Sequence, residues 1–294
     1  MNKAITDRPV TDAVIIPHYN DIPRLKRCLQ ALMENDLSGT EVVVVDNASP
    51  VSLEHVRCAF PTVRFIVEHQ KGAAHARNRG VSETGAQRLF FIDADCVPGP
   101  DWLAVGREIS AQADLIGGRV DVFDETPPPR SGAEAFETVF AFNFKKYIEV
   151  QGFSGAGNLL TRRDIFDAIG GFINGVSEDR EWTMRAVAKG YSLIYEDRLR
   201  VSHPSRQDWP ALKAKWRRTT QEAYQLNGTG LTDRMRWALR ALAMPASAVV
   251  HTPKVLASQK LNSTGETLRA VKTLFRLRFL RMIWMLRQAL GGSI

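Results

Sequence analysis

Short apolar runs alternate with amphipathic stretches over the first 92 residues of the chain. Four runs have the length of strands and are rich in β-branched or aromatic residues: 13–16, 41–45, 63–67 and 89–92. Three stretches between them suggest helices, at 22–35, 53–60 and 73–84. Strands that alternate with helices form parallel sheets, because each helix carries the chain back to the same edge. The pattern predicts an α/β fold with a Rossmann-like, mostly parallel sheet flanked by helices.

The second part of the chain gives less regular signals. Its predicted elements are an exposed loop at 127–129, a helix at 133–149, a strand at 159–161, a helix at 164–169 that ends at Gly170 and Gly171, a helix opened by Glu178 and Asp179, and a strand at 200–202. Glycines commonly end helices, and acids suit the positive end of a helix dipole. We therefore expect the α/β domain to continue through this region.

The strand at 89–92 ends in two carboxylates, Asp93 and Asp95. In open α/β sheets, ligands bind beyond the carboxyl ends of the strands. Two acids placed there suit a hard divalent cation, Mg2+ or Mn2+, which prefers oxygen ligands and accompanies substrate phosphates. The alternative is that one acid caps the next helix and the other is solvated. The pair taken alone leaves both interpretations open.

Composition limits the class of protein. Hydrophobic residues make up 44% of the chain and charged residues 24%, as in ordinary globular proteins. The three cysteines, Cys28, Cys58 and Cys96, have no zinc-like spacing and favour a reducing cytosol. Residues 1–9 are polar, so we expect no secretory signal, and no apolar run is long enough to span a bilayer.

The net charge of +7 is unevenly distributed. Residues 206–294 contain 16 Lys and Arg against 4 Asp and Glu, a balance of +12, so residues 1–205 carry −5. A nucleic-acid enzyme needs its basic groove in the catalytic body, and we therefore expect no nucleic-acid partner. The basic tail instead matches an anionic membrane surface.

Several segments, taken in order, resemble the family 2 glycosyltransferases with the GT-A fold. They are IIPHYN (15–20), VVDNAS (44–49), GAAHARNRG (72–80), DAD (93–95), GN (157–158), GGF (170–172) and ED (178–179). The resemblance runs from residue 13 to residue 203. It implies a nucleotide-sugar-dependent glycosyltransferase domain over 11–205, with a nucleotide-sugar half at 11–122 and an acceptor and catalytic half at 150–205. A helical, basic extension would follow over 206–294.

The resemblance also implies which residues bind the nucleotide sugar: Pro17, Tyr19, Asn20, Asp46, Arg77, Asp93, Gly157 and Asn158. The Asp46 carboxylate would accept hydrogen bonds from the base of the donor. Its alternative role is an Asx turn with the residues that follow it. Arg77 would pair with the diphosphate or with Asp93, and otherwise would be a solvated helix residue.

Metal and catalytic roles follow from the same resemblance. Asp95 would be the direct metal ligand, Asp93 would be shared with the nucleotide, and His203 would complete the site, which favours Mn2+ over Mg2+. Asp179 would be the base that deprotonates the acceptor hydroxyl, supported by Glu178. The alternative for this acidic pair is a helix cap. Two departures from the family pattern, His18 and Cys96, weaken any inference about the donor.

The last predicted helix, at 268–289, is amphipathic. Its predicted apolar face consists of Leu268, Val271, Phe275, Met282, Leu286 and Ala289, with basic residues opposite. Such a helix suits a membrane interface, and the alternative is that it packs back on the protein.

Together these features predict a metal-dependent, inverting glycosyltransferase. Its donor would be a nucleotide-diphosphate sugar, with a UDP-sugar favoured, and its acceptor a glycan or a lipid-linked glycan. We expect a role in bacterial surface polysaccharide or glycolipid synthesis, in the cytoplasm or on the inner face of the plasma membrane. The alternatives are a catalytically degenerate carbohydrate-binding or membrane scaffold and a sugar nucleotidyltransferase. The latter is disfavoured because the loop after the first strand contains no glycine.

Overall fold

The computed structural model describes residues 10–228 and 230–294. Residues 1–9, where we expect no secretory signal, lie outside the described part of the chain. The chain divides into two compact units. The first unit contains the described residues up to Asp121 together with Asn143–His203, and the second contains Val122–Phe142 together with Pro204–Ile294.

The first unit is an α/β unit, and the alternation of its early elements confirms the predicted fold class. Its elements are β1 (Asp12–His18), α1 (Ile22–Leu32), β2 (Thr40–Asp46), α2 (Glu54–Ala59), β3 (Arg64–Val67), α3 (Ala73–Ser82), β4 (Arg88–Ile92), β5 (Val97–Pro98), α4 (Trp102–Ile109), β6 (Leu115–Phe123), α6 (Phe144–Gln151), β7 (Asn158–Arg162), α7 (Arg163–Ile169), α8 (Glu178–Ala188) and β8 (Leu193–Pro204). The last residues of β6 and β8 belong to the second unit.

The sheet has the order β3-β2-β1-β4-β7-β6-β8-β5. The first four strands of this order are parallel, and β7 is antiparallel to both β4 and β6. The four strands that precede residue 93 are therefore all paired in parallel. Strands β1 and β4 are buried over nearly their whole length, which explains why they are continuous apolar runs.

The register places the predicted site residues together at one edge. His18 is the direct register partner of Asp46, and Ile92, the last residue of β4, pairs with Asn158 at the start of β7. The carboxyl ends of β1, β2 and β4 therefore meet the amino end of β7. Polar side chains that leave these strand ends share one edge of the sheet, as an open α/β sheet requires of a ligand site.

The second unit is helical. It contains α5 (Gly132–Phe140), α9 (Trp209–Gln225), α10 (Leu231–Leu242), α11 (Met244–Leu256) and α12 (Thr264–Ala289). Helix α12 packs against the other four helices of this unit. Its buried apolar residues are Ala270, Leu274, Leu277, Trp284 and Met285.

The structure corrects three details of the sequence prediction. The predicted helix at 133–149 is two helices, because Phe142 has a φ of 53° and Asn143 caps a new helix by accepting from the backbone N–H of Lys146. Residues 122–142 group with the C-terminal helices. The predicted apolar face of the last helix is also wrong in part, since Leu268 is 64% exposed while Leu274 is fully buried.

Candidate active site

The carboxyl ends of β1 and β2 are joined by a hydrogen bond between the side chains of their last residues. His18 Nδ1 lies 3.0 Å from Oδ1 of Asp46. The backbone N–H of Asp21 donates to Nε2 of the same ring at 3.1 Å, so Nε2 is an acceptor and the ring proton must be on Nδ1. His18 is therefore a neutral donor to Asp46. Sequence reasoning assigned no role to His18, whose only signal was its departure from the family pattern.

Asp46 is nearly saturated with hydrogen bonds from the protein. Besides His18, its Oδ1 accepts from the hydroxyl of Ser49 at 2.5 Å, and its Oδ2 accepts from the Ser49 backbone N–H at 3.2 Å. A carboxylate has about four acceptor positions. Asp46 thus forms the turn that we considered as its alternative role, and its Oδ2 keeps capacity for one further donor.

The three other predicted residues of this region lie at the surface of the same edge. Pro17 is half-buried, and Tyr19 and Asn20 are exposed, Tyr19 by 58%. Asn20 adopts a φ of 49°, and its backbone N–H donates to the hydroxyl of Ser49 at 2.8 Å. Tyr19 and Asn20 are therefore accessible to a ligand.

Asp93 and Asp95 lie in the turn directly after β4. Asp93, Asp95 and Cys96 place one ligand atom each within 4.8 Å of the others. His203, near the end of β8, brings its Nε2 to 3.1 Å from Oδ2 of Asp95. Asp95 thus lies close to both Asp93 and His203, and the role of these three residues in binding a metal stays a prediction.

Without a bound metal, Cys96 is a neutral thiol. Burial, together with the charges of Asp95 and Asp93, holds the pKa of the Cys96 thiol well above its ordinary value. The negatively charged donors of the metal-free cluster are therefore the oxygens of Asp93 and Asp95, with the imidazole nitrogen of His203 beside Asp95. This donor set fits Mn2+ or Mg2+ better than a thiolate-bound metal.

Gly157 lies directly against the acidic cluster. A Cβ atom at this position would stand 2.8 Å from Oδ2 of Asp93. Any side chain here would displace the carboxylate, so the glycine is required for the close approach of the β7 entry to Asp93. Gly157 thus lies directly beside Asp93, and its role in binding the donor stays a prediction.

A single buried guanidinium joins the two acidic motifs. Arg77, which is 4% exposed, donates to Oδ1 of Asp93 at 2.6 Å and to Oε1 of Glu178 at 2.8 Å. Burial alone would lower the pKa of Arg77, but the charges of Asp93, Glu178 and Asp179 raise it on balance. The predicted pairing with Asp93 is present, whereas nothing in the sequence indicated the pairing with Glu178.

Asp179 lies in the first turn of α8, and the structure holds its carboxylate in a desolvated position. Its Oδ1 accepts from the backbone N–H of Arg180 at 2.7 Å, and its Oδ2 lies 3.4 Å from the backbone N–H of Ala156. Burial and the neighbouring charge of Glu178 raise its pKa above the ordinary value. An aspartate with a raised pKa is a stronger base, so its position suits proton abstraction.

Asn158 has a structural environment. Its side chain is 0% exposed, accepts from Trp102 Nε1 at 2.9 Å and donates to the carbonyls of Arg119 and Leu199 at 3.0 and 2.7 Å. The side chain therefore ties α4, β6 and β8 to β7 and is not directed to the exposed edge. Trp182 in α8 is also fully buried and donates to the carbonyl of Gly170.

A comparison with protein families identifies the chain. Residues 13–170 match the model of "Glycosyl transferase family 2". The chain belongs to glycosyltransferase family 2. It is a glycosyltransferase, and the resemblance stated from its motifs is confirmed.

Individual relatives agree with this assignment. The chain is 30% identical over 290 residues to glycosyltransferase AglE of Haloferax volcanii, covering 94% of this chain and 92% of the relative. It is 26% identical over 215 residues to the pre-mycofactocin glycosyltransferase of Mycobacterium tuberculosis, covering 68% of this chain and 45% of that one.

Two solved structures share the GT-A fold. The mannosyltransferase PcManGT of Pyrobaculum calidifontis, in complex with GDP-Man and Mn2+, matches with a TM-score of 0.55 at 17% identity, over 98% of this chain and 77% of that one. TarS of S. aureus, in complex with UDP-GlcNAc, matches with a TM-score of 0.54 at 16% identity, over 96% and 80%.

Proposed function

We propose that this glycosyltransferase is metal-dependent and inverting, and that it transfers a sugar from a UDP-sugar to a glycan or lipid-linked acceptor in bacterial surface polysaccharide or glycolipid synthesis. One observation carries the proposal: Arg77 joins a metal-type cluster at Asp93 and a base-type pair at Glu178 and Asp179. A divalent cation and a base for the acceptor are the two groups that an inverting transfer from a diphosphate donor needs.

Asp95, His203 and Asp93 would hold the cation. Their carboxylate oxygens and imidazole nitrogen fit a hard ion, and the hydrogen bond from Arg77 holds Asp93 in place. The bound ion would supply positive charge to the departing diphosphate. A solved relative of the same fold was obtained with Mn2+, which supports the assignment of the metal.

Asp179 would remove the proton from the acceptor hydroxyl. Its raised pKa favours this step, and its Oδ1 and Oδ2 are oriented by backbone N–H groups. Glu178 is held by Arg77, so its charge remains close to Asp179 and helps to keep the pKa of Asp179 raised. The base would act in a single displacement, which inverts the anomeric carbon.

The lone pairs of Asp46 support uracil as the base of the donor. With two hydrogen bonds at Oδ1 and one at Oδ2, the carboxylate has room for about one more donor. The hydrogen-bonding edge of uracil presents one N–H, whereas the edge of guanine presents two adjacent donors. The hydrogen bond from His18 occupies one acceptor position of the Asp46 carboxylate. Asp46 therefore has room for the single N–H of uracil but not for both donors of guanine, which favours UDP over GDP.

A donor panel tests this proposal. Nucleotide release from UDP-, GDP- and dTDP-sugars is measured with Mn2+, with Mg2+ and with EDTA, and the anomeric configuration of the product is read by NMR. We expect release from a UDP-sugar with Mn2+, no release in EDTA, and an inverted product. Metal-independent release, or a retained anomeric configuration, would contradict the proposal.

A catalytically degenerate scaffold is the competing function. A scaffold needs neither a metal cluster nor a desolvated base. The scaffold hypothesis therefore does not explain why Asp95 lies beside His203 or why the pKa of Asp179 is raised. Calorimetry with UDP in the presence and absence of Mn2+ separates the two, because a scaffold should bind UDP independently of the metal or not at all.

We also propose that the second unit attaches the enzyme to an anionic membrane on the cytoplasmic side. Among the described residues, none of the helices combines the length and apolarity that a bilayer crossing needs. Helices α10 and α11 nevertheless expose seven large apolar side chains, which we call the hairpin ridge: Leu231, Met235, Leu239, Leu242, Val249, Val250 and Leu256, each 60–75% exposed. Leu231, Met235, Leu239 and Leu242 have the spacing of one helix face.

The charge around the hairpin ridge complements an anionic surface. Residues 231–289 contain eleven Lys and Arg against two Asp and Glu, a balance of +9. Exposed apolar side chains beside basic residues are typical of helices that lie in the membrane interface. The basic residues would contact lipid phosphates, and the side chains of the hairpin ridge would enter the boundary between the head groups and the acyl chains.

Vesicle flotation tests the attachment with matched variants. L239Q/V250Q removes two ridge side chains, and V10Q/V150Q removes two exposed valines of the first unit as the control. R236Q/R240Q removes two exposed cations of α10, and K145Q/K146Q removes two of α6. We expect only the α10 and α11 variants to lose binding to vesicles that contain anionic lipid. Equal flotation of all four variants would end this part of the proposal.

A further inference from the structure

In the described part of the chain, helix α12 carries two partly buried arginines whose guanidinium groups have no oxygen acceptor. Arg278 and Arg281 lie one helical turn apart, and among the described residues no Asp or Glu forms an ion pair with either. The hydrogen bond of Arg278 goes from Nη1 to Sδ of Met244 at 3.7 Å, a weak acceptor. The Arg281 guanidinium lies over the ring of Trp216, with 4.5 Å from Cζ to the ring centroid.

The same three side chains hold buried donors without acceptors. In the described part of the chain, five buried side-chain polar atoms lack a hydrogen-bond partner, and three of them are Arg278 Nε, Arg281 Nε and Trp216 Nε1. A buried donor without an acceptor loses its hydration without gaining a hydrogen bond, so such atoms are uncommon unless a ligand satisfies them. Their concentration in one cluster indicates a missing acceptor.

Electrostatics support this conclusion. Burial lowers the pKa of Arg278, and burial together with the charge of Arg278 lowers the pKa of Arg281 to about 10. Both groups are still cations at neutral pH, so the cluster holds two adjacent positive charges in a poorly solvated place. Such a pair is unfavourable without an anion.

Four other partly buried cations of the second unit have oxygen acceptors. Arg130 pairs with Asp124 at 2.6 Å and with Glu266 at 3.2 Å, and Lys215 pairs with Glu137. Arg234 and Arg269 donate to backbone carbonyls. The fold therefore supplies an oxygen acceptor to each of these cations. The lack of one at Arg278 and Arg281 is a local property of this cluster, which we call the α12 arginine pair.

We infer that the α12 arginine pair and Trp216 form a binding site for a phosphate-type oxyanion. The planar forks of the two guanidiniums and the indole N–H offer several donors to a tetrahedral anion with several acceptors. Arg278, Arg281 and Trp216 are each only partly buried as whole residues, so an anion from solution can reach them. The site lies within the second unit and does not depend on the proposed transfer reaction. The anion is either free phosphate or the phosphate of a lipid head group.

Phosphate titration of the full chain tests the site. Binding of inorganic phosphate is measured by calorimetry and by the shift of the unfolding temperature, with chloride at the same ionic strength as the reference. We expect the wild type to gain thermal stability with phosphate. Arg281→Gln and Arg278→Gln should each weaken phosphate binding by at least about tenfold, because a charge-assisted partner is lost. Arg287→Gln, an exposed arginine on the same helix, is the control and should bind like the wild type.

A second readout separates binding from a merely structural role. Without phosphate, Arg281→Gln should unfold at a higher temperature than the wild type, because it removes an uncompensated, desolvated charge. Arg281→Lys keeps the charge without the planar fork and should bind phosphate more weakly than the wild type. No phosphate effect on the wild type, or an equal effect on Arg281→Gln, would overturn the inference.

The two sources of the anion are distinguished with a soluble lipid. Monomeric dihexanoyl phosphatidic acid carries the head-group phosphate without forming a membrane. Tighter binding of this lipid than of inorganic phosphate, lost in Arg281→Gln, assigns the site to a lipid head group. Equal or weaker binding of the lipid, with phosphate binding retained, assigns it to free phosphate.

Discussion

Arg77 donates from Nη1 to Oε1 of Glu178 at 2.8 Å, across 101 positions of sequence. The same guanidinium holds Asp93 at 2.6 Å, so helix α3 links the turn after β4 to the start of α8. Arg77 is almost fully buried, which makes both hydrogen bonds stronger than they would be in water. The acidic residues of the two motifs are thereby kept close despite their mutual repulsion.

Replacement of Arg77 should therefore affect stability and activity together. Arg77→Met keeps the stem but leaves Asp93 and Glu178 unpaired. We expect a loss of about 1–3 kcal/mol in the free energy of unfolding, less than for fully buried pairs because the two carboxylates are partly exposed. Urea unfolding and nucleotide-release rates measure the two effects. Arg79→Gln, an exposed residue of the same helix, should change neither.

We expect the ionised carboxylate of Asp179 to be required for transfer and to lower the stability of the folded protein. Because its pKa in the folded state is raised, the ionised form destabilises the fold, and Asp179→Asn should unfold at a higher temperature than the wild type at neutral pH while losing transfer. The folded state binds the carboxyl proton of Asp179 more tightly than the unfolded state does. The wild type therefore loses stability relative to the variant as the pH rises from 3.8, the ordinary pKa of an aspartate, through the raised pKa of Asp179 in the folded state.

The unfolding temperatures of the wild type and of Asp179→Asn, measured across this pH window, test the direction of this pH dependence. The difference between Asp179→Asn and the wild type should widen with rising pH and then become constant. A difference that narrows as pH rises would mean that Asp179 is not the desolvated group.

Removal of a metal ligand should affect nucleotide binding only when metal is present. Asp95→Asn and His203→Asn should each weaken UDP binding in Mn2+ by at least about tenfold and leave binding in EDTA unchanged. Calorimetry with and without Mn2+ provides the comparison. Asp101→Asn, an exposed carboxylate in the following loop, is the control. An equal loss in EDTA would show that Asp95 binds the nucleotide directly.

Gly157→Ala should disable the site without unfolding the protein. The added Cβ would stand 2.8 Å from Oδ2 of Asp93, so the carboxylate must move. We expect loss of Mn2+-dependent UDP binding with a far-UV circular dichroism spectrum like that of the wild type. Gly85→Ala, where a Cβ meets open space, should retain binding.

Asn158 should be required for stability rather than for nucleotide affinity. Asn158→Ala leaves the Trp102 indole N–H and two buried carbonyls without partners, which should cost about 3 kcal/mol. Urea unfolding measures this cost. The folded fraction should bind UDP with unchanged affinity, and a weaker affinity would return Asn158 to the list of donor-binding residues.

Local patterns predicted the elements well because strands and helices depend mainly on neighbouring residues. The run 89–92 has the length and the apolar residues of a buried strand, and Asp93 and Asp95 come directly after it in the chain. The predicted face of α12 was less accurate. Apolar residues occur on several sides of this helix, so periodicity could not decide which side the other helices cover.

The α/β alternation, the acidic motifs and the basic character of the C-terminal region can all be read from the amino-acid order, since each depends on short-range order along the chain. Only the tertiary structure decided which of these residues meet. His18 reaches Asp46 because β1 and β2 pair in parallel with these two residues in register, and Arg77 reaches Glu178 because α3 packs on α8. Contacts of this kind come from the closure of long loops, which leaves no periodic signal in the chain.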